Sequence, residues 1–185
     1  MRGVPFVYLC ALVVEVYLMS NGIVESIYIA AAATAPTRAV DSVQAIPGVG
    51  LDGDRYALKQ GTFFKPEPDF ELTLIEAEAI DAIRRDYSLD LSAGDARRNL
   101  VTRGVALNHL VGREFTIGKV RIRGIRLCEP CDHLQRLTGK PVIKALRHRG
   151  GLRAQILTEG KIHAGDAITA DPIETGPINS ESAPS

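Results

Sequence analysis

The sequence predicts a β-rich barrel that carries a few short helices. Three observations lead there. Short apolar runs recur between glycine and proline punctuation, in a chain of 185 residues with 17 Gly and 10 Pro. Only two or three segments show helical spacing. Residues 120–127 alternate strictly, with Val120, Ile122 and Ile125 expected to face inward and Arg121 and Arg123 outward. Many short strands joined by tight turns bury their apolar faces most simply by closing on themselves.

Taken in order, residues 23–29 alternate well enough for a strand, and 37–45 read as a further extended stretch. Three glycines and a proline make 47–54 a loop. A short strand over 70–75 runs into a helix over 76–87, where Ile80, Ile83 and Tyr87 share a face and acids crowd the first turn. Residues 100–102 form a brief strand, 105–111 a short helical turn, and 114–118 a strand that turns into 120–127. Segments 133–137 and 141–146 suit short helices; 152–158 and 166–170 are closing strands, with 160–165 connecting them. A G-x-G-x-x-G spelling at Gly48, Gly50 and Gly53 precedes acid rather than a helix, which excludes a dinucleotide fingerprint.

The chain divides into an apolar extension over 1–18, one domain over 19–171 and a tail over 172–185. The extension resembles a secretory signal only slightly. It is short for a membrane span, Glu15 interrupts it, and Met19 offers a second start, so no membrane partner is expected. Pro, Gly, Ser, Asn and Glu dominate the tail, a composition that does not bury enough surface to order itself. Three cysteines make no disulfide framework and point to a reducing, cytoplasmic setting.

Formal neutrality, with 22 basic and 22 acidic residues, hides a strong asymmetry. Residues 97–153 hold 14 Lys/Arg against 3 Asp/Glu, whereas 1–96 hold 7 against 14. Within the basic block lies Leu127-Cys128-Glu129-Pro130-Cys131-Asp132-His133. A thiolate and an anionic ligand both favour positive surroundings. The Cys-x-x-Cys pair admits a zinc site with too few ligands, a dithiol redox pair, a single thiolate acting as soft-metal ligand or sulfur carrier at Cys131, or two inert buried cysteines. Pro130 and the helix-forming residues after Cys131 place that thiol near a helix start.

Two further constellations are basic. Arg97-Arg98-Asn99-Leu100-Val101-Thr102-Arg103-Gly104 sets guanidinium forks beside an amide and a hydroxyl, the groups a phosphate or carboxylate site needs, although a solvated face would look the same. In Arg147-His148-Arg149-Gly150-Gly151-Leu152-Arg153, paired glycines allow a ligand to approach the backbone closely. Asp54 and Arg55 either pair with each other or belong to a site loop. Overall neutrality and an aromatic content of 5% make nucleic acid an unexpected partner, leaving only a weaker reading as an anion- or RNA-binding module.

Together these motifs resemble the molybdenum-cofactor sulfurase C-terminal (MOSC) domain family over roughly residues 24–170. The segments that carry the likeness are Gly50-Leu51-Asp52-Gly53-Asp54-Arg55, Arg97 to Gly104, Gly112-Arg113-x-Phe115-x-Ile117-Gly118, Leu127 to Cys131, His148 to Ala154 and Gly160-x-Ile162-x-x-Gly165-Asp166. The resemblance implies a MOSC-like β-barrel and a molybdenum cofactor. It implies that Cys131 is the metal ligand and catalytic thiolate, and that Arg97 and Asn99 help hold the pterin. Thr102, Arg103, Arg149 and Arg153 complete the expected cofactor-binding set. At the family level it also suggests pyridoxal phosphate binding. The implied activity is reduction of small N-hydroxylated substrates with an external electron-donor protein; the alternative is a persulfide carrier. Glu129 and Pro130 stand where the amidoxime-reducing relatives have polar and basic residues, and their separate N-terminal barrel has no counterpart in this sequence.

Overall fold

A computed structural model describes residues 22–170. The apolar stretch 1–18, with Cys10, and the tail 172–185 lie outside the described residues. The strands are β1 (Gly22–Ile29), β2 (Arg38–Val40), β3 (Ser42–Ile46), β4 (Gly50–Leu51), β5 (Leu72–Glu76), β6 (Leu100–Arg103), β7 (Glu114–Ile117), β8 (Val120–Leu127), β9 (Leu152–Ile156), β10 (Gly160–His163) and β11 (Ala167–Ala170). Helices α1 (Ala77–Tyr87), α2 (Asp132–Thr138) and α3 (Val142–Ala145) are joined by 3₁₀ turns at Pro68–Phe70 and Leu107–Leu110.

Seven strands close in the order β11-β7-β8-β9-β5-β6-β1, because β11 also pairs with β1; β2 hangs on β1 outside the ring. Closure leaves no edge in the ring to template aggregation. A smaller sheet orders β10-β3-β4. β10 falls in the stretch expected to be a connection. Its only buried apolar side chain is Ile162, and it is a strand through its pairing with β3.

The barrel interior is filled by the inward residues of each strand, among them Leu72, Leu74, Ile117, Val120, Ile122 and Ile156. β8 follows its predicted alternation through Ile122. The register then shifts between Gly124 and Arg126, so Ile125 becomes the extra residue and is only half-buried. A bulge re-aims the side chains that follow it, here those leading into the cysteines.

β5 and β6 are the parallel pair in the ring, and α1 is their crossover. Outward-facing Ile75 and Val101 meet Ile80 and Ile83 of α1, Leu134 of α2 and Val142 of α3 in a second core outside the ring. That core docks α2, and with it the end of the cysteine loop. α1 carries Glu78 in its first turn and Arg84 and Arg85 in its last, matching the helix dipole, and ends on Ser88 at φ 50°.

Two carboxyls are shielded from water, Glu71 buried and Glu76 half-buried. Burial pushes the Glu71 and Glu76 carboxyls above the usual glutamate range. Backbone N–H groups of Ile156 and Gly48 at Glu71, and of Leu107 at Glu76, partly oppose the shift. A carboxyl with a raised folded pKa binds its proton more tightly in the native state. Its contribution to stability is therefore complete below the unfolded value near pH 4.3 and is lost as pH rises through the folded value. Measured from pH 4 to pH 7, the urea midpoint of Glu71→Gln relative to that of the parent chain should rise with pH. A difference that stays constant with pH would remove Glu71 from this account.

Candidate functional site

The site lies beside the paired strands β5 and β9, where Thr73 stands opposite Arg153; the loop after β8 and the segments before β5 and β6 supply the rest of its lining. Cys128 is 4% exposed, and its N–H donates to Gly151 O at 2.7 Å. Cys131 is exposed and extended (φ −137°, ψ 166°) as the cap residue of α2, and its carbonyl accepts the Gln135 N–H at 3.0 Å. The two thiols thus occupy unlike environments, one packed and one open.

The cysteine loop is fastened to the loop before β9. Glu129 Oε2 accepts the His148 N–H at 3.0 Å, and its Oε1 lies 3.3 Å from His148 Nδ1. A Cβ on Gly150 would stand 2.5 Å from Cys128 O, and one on Gly151 1.9 Å from Leu74 O. The paired glycines therefore let backbone approach backbone.

A guanidinium wall faces the thiols. Arg98, 8% exposed, donates from Nε to Gly150 O at 2.8 Å and from its two terminal nitrogens to Cys128 O at 2.9 Å and Ala96 O at 3.1 Å. Arg97 takes a left-handed backbone (φ 56°) and donates to Ala33 O at 2.7 Å and Ala35 O at 2.9 Å. A bulky side chain in that region marks a backbone held by its surroundings. Burial first, then the nearby Arg55 cation, lowers the Arg97 pKa from its usual value. Arg55 pairs with Asp54 at 3.2 Å. Asp54 also accepts the N–H groups of Ala30 and Tyr56 and the Asn99 amide.

Arg55, Arg97, Arg98, Cys128, Cys131 and His133 line a small half-open cavity of about 70 Å³. A wider groove of about 660 Å³ opens beside it, sharing Thr62, Phe63, Glu129, Cys131 and Arg153. The His133 ring meets Phe63 edge-on, with centroids 5.3 Å apart, and its Nε2 lies 3.5 Å from Thr62 Oγ1. Burial, reinforced by Arg97, Arg136 and Arg55, holds His133 below the usual histidine pKa. Arg153 stacks 4.7 Å over the Phe70 ring and donates to Asp69 O at 3.2 Å. Among the described residues no three His, Cys, Asp or Glu side chains converge as a metal-ligand set, so metal ligation at this site would rest on the single thiolate.

The barrel order, the cysteine loop and the arginine wall are accompanied by a family match: the model of the MOSC domain fits residues 62–169. The chain belongs to the MOSC domain family. Its fold is that of the YuaD protein of Bacillus subtilis, at 15% identity and TM-score 0.66, covering 81% of this chain and 95% of that one. YiiM of Geobacillus stearothermophilus aligns at 15% identity and TM-score 0.64, over 80% of this chain and 74% of its own. YiiM of Escherichia coli aligns at 18% and 0.58, over 80% and 69%. No curated protein matches.

Within this MOSC domain, Cys131, Arg97 and Arg153 of the expected set come together at the cleft. The others lie elsewhere. Asn99 sits behind the wall, its Oδ1 accepting the Thr73 N–H and hydroxyl and its amide donating to Asp54 and Tyr28 O. Thr102 is fully buried and donates to Ile75 O. Arg103, at the far end of β6, pairs with Glu25 and Asp81. Arg149 reaches Asp86 at 3.7 Å on the outer surface. Alternation along a strand separates these neighbours, so one basic run does not make one site. Arg98 and Arg55 take the places in the cavity wall. At Asp54-Arg55 the pair forms, and Arg55 also lines the cavity. His133, Thr62 and Phe63 went unassigned; the nearness of His133 to Cys131 was the available signal.

Proposed function

We propose that this MOSC domain binds a molybdenum cofactor through the Cys131 thiolate and reduces small N-hydroxylated compounds with electrons from an external donor protein. The observation that carries this reading is an exposed thiol at the mouth of an arginine-walled cleft. The donor set fits the group. A soft thiolate suits molybdenum bearing sulfur ligands, guanidinium groups suit its phosphate, and the groove falls within the ~300–1,000 Å³ typical of ligand sites.

When bound, the cofactor would supply two-electron oxygen-atom chemistry. The chain's own residues would do the rest. Cys131 would hold the metal, and Arg97 and Arg153 would anchor negative charge. Phe63 and the neutral His133 would form the wall facing an incoming substrate. The N-hydroxyl group would leave as water and the amine remain, taking up two electrons and two protons. A cytoplasmic setting, where thiols stay reduced, suits such a site. Cys131→Ser, produced in a cofactor-synthesising host, should keep the parent's far-UV circular dichroism and lose molybdenum and pterin, as measured by elemental analysis and mass spectrometry. Full molybdenum content in that variant would overturn the reading.

A second reading keeps the same thiol as a persulfide carrier. It is favoured by the openness of Cys131 beside the enclosed Cys128, because a carried sulfur must reach its acceptor. A sulfur adduct in the intact mass, lost on reduction and in Cys131→Ser, would mark it.

A further inference from the structure

We infer that Cys131 is a site of reversible mixed-disulfide formation that selects anionic disulfides of the glutathione type. The thiol is open to solvent, and the groove it shares has the volume of a small peptide ligand. The walls of cavity and groove are strongly cationic. Asp54 neutralises Arg55 and Asp69 neutralises Arg126. Arg97, Arg98, Arg153 and Lys65 form no salt bridge with a carboxylate among the described residues, and Glu129, which accepts the His148 N–H, is the carboxylate set against them on the lining of cavity and groove. A cleft lined by one sign of charge raises the local concentration of opposite charge and its encounter rate, by roughly 10–10³-fold. Charge-matched carboxylates also gain charge-assisted hydrogen bonds from guanidinium groups. Phe63 and Pro130 supply apolar contact for the peptide stem on the same wall.

The exchange balances without a further reagent. The Cys131 sulfur, as thiolate, attacks one sulfur of glutathione disulfide. A new S–S bond forms, the old one breaks, and one glutathione leaves as thiolate and takes up the proton. Cys131 sulfur is oxidised and the departing sulfur reduced. Cys128 makes a poor resolving thiol because it is packed and closed to solvent. The mixed disulfide therefore persists until an external thiol removes it. It also occupies the sulfur that would otherwise ligate metal; this consequence, unlike the selectivity, rests on the proposed function.

The test uses the full chain with its molybdenum content measured beforehand. Rates of adduct formation are followed by intact mass with glutathione disulfide (dianionic) and cystamine (dicationic), each divided by its rate with a small free thiol. Glutathione disulfide should hold an advantage of at least about tenfold over cystamine at low salt, shrinking as salt screens the cleft. Peptide mapping should place the adduct on Cys131, and Arg153→Gln with Lys65→Gln should reduce the advantage severalfold. Equal normalised rates, or an adduct on another cysteine, overturn the inference. If molybdenum-loaded and metal-free chains react alike, metal ligation by Cys131 fails while the charge selectivity stands.

Discussion

Gly151→Ala should lower the melting temperature by roughly 10 °C or prevent the chain from accumulating as folded protein. The backbone at Gly151 has φ 105°, a region L side chains rarely adopt, and an added Cβ would lie 1.9 Å from Leu74 O and 3.3 Å from Ile75 Cα. The first effect costs about 1–2 kcal/mol. The second adds about 1–3 kcal/mol of overpacking, because the obstacle is strand backbone with no rotamer to move aside. Together they amount to about 2–5 kcal/mol, which for a domain of this size lowers the melting temperature by about 2–4 °C per kcal/mol. Gly112→Ala separates the two terms. Gly112 also has positive φ (75°), but its Cβ would meet nothing within 4 Å, so it should show the backbone cost alone. Differential scanning calorimetry of both variants decides the matter. Equal losses would mean that the contact between the β9 approach and β5 is softer than its distances imply. The site would register the change as well, because Gly151 O accepts the Cys128 N–H.

Those glycines illustrate what the sequence discloses and what it withholds. A pair of glycines announces close approach, but not the identity of the approaching group; only the long-range pairing of β9 with β5 and β8 supplies it. β8 was legible as far as Ile122 because a half-buried strand writes its face at period two. Its bulge after Gly124 was not, since the extra residue is defined by the partner strand. β10 carries too little periodicity to declare itself, and β3 makes it a strand. Cys131 at a helix start could be read because proline and helix-forming residues are local signals. Which arginines face it could not. Arg97, Arg98 and Arg103 belong to one basic run, yet a left-handed residue and a change from loop to strand send them to the cleft rim, the buried wall and the opposite end of β6.

Arg98→Met should cost about 2–4 kcal/mol and loosen the cysteine loop, and Arg98→Lys should restore less than half of that loss. The guanidinium binds three carbonyls from three separate segments, at Ala96, Cys128 and Gly150. Hydrogen bonds to a charged group are worth about 1.5–3 kcal/mol each, but burying the cation offsets much of their sum. The small cavity beside Arg98 lets water reach some of the abandoned carbonyls, which keeps the net loss below the gross value. Lysine restores the charge but presents its donors from one point, without the planar fork that spans three acceptors. The pair of variants therefore distinguishes charge from geometry. If positive charge in the cavity were what held the loop, Arg98→Lys would recover most of the stability and the Cys128–Cys131 amides would exchange as in the parent. If the fork holds it, both variants will show lower urea midpoints with an unchanged slope, and faster amide exchange concentrated at the cysteine loop and at Gly150. The three carbonyls favour the second outcome. They converge from different parts of the chain on one plane of donors, and no carboxylate among the described residues shares that plane.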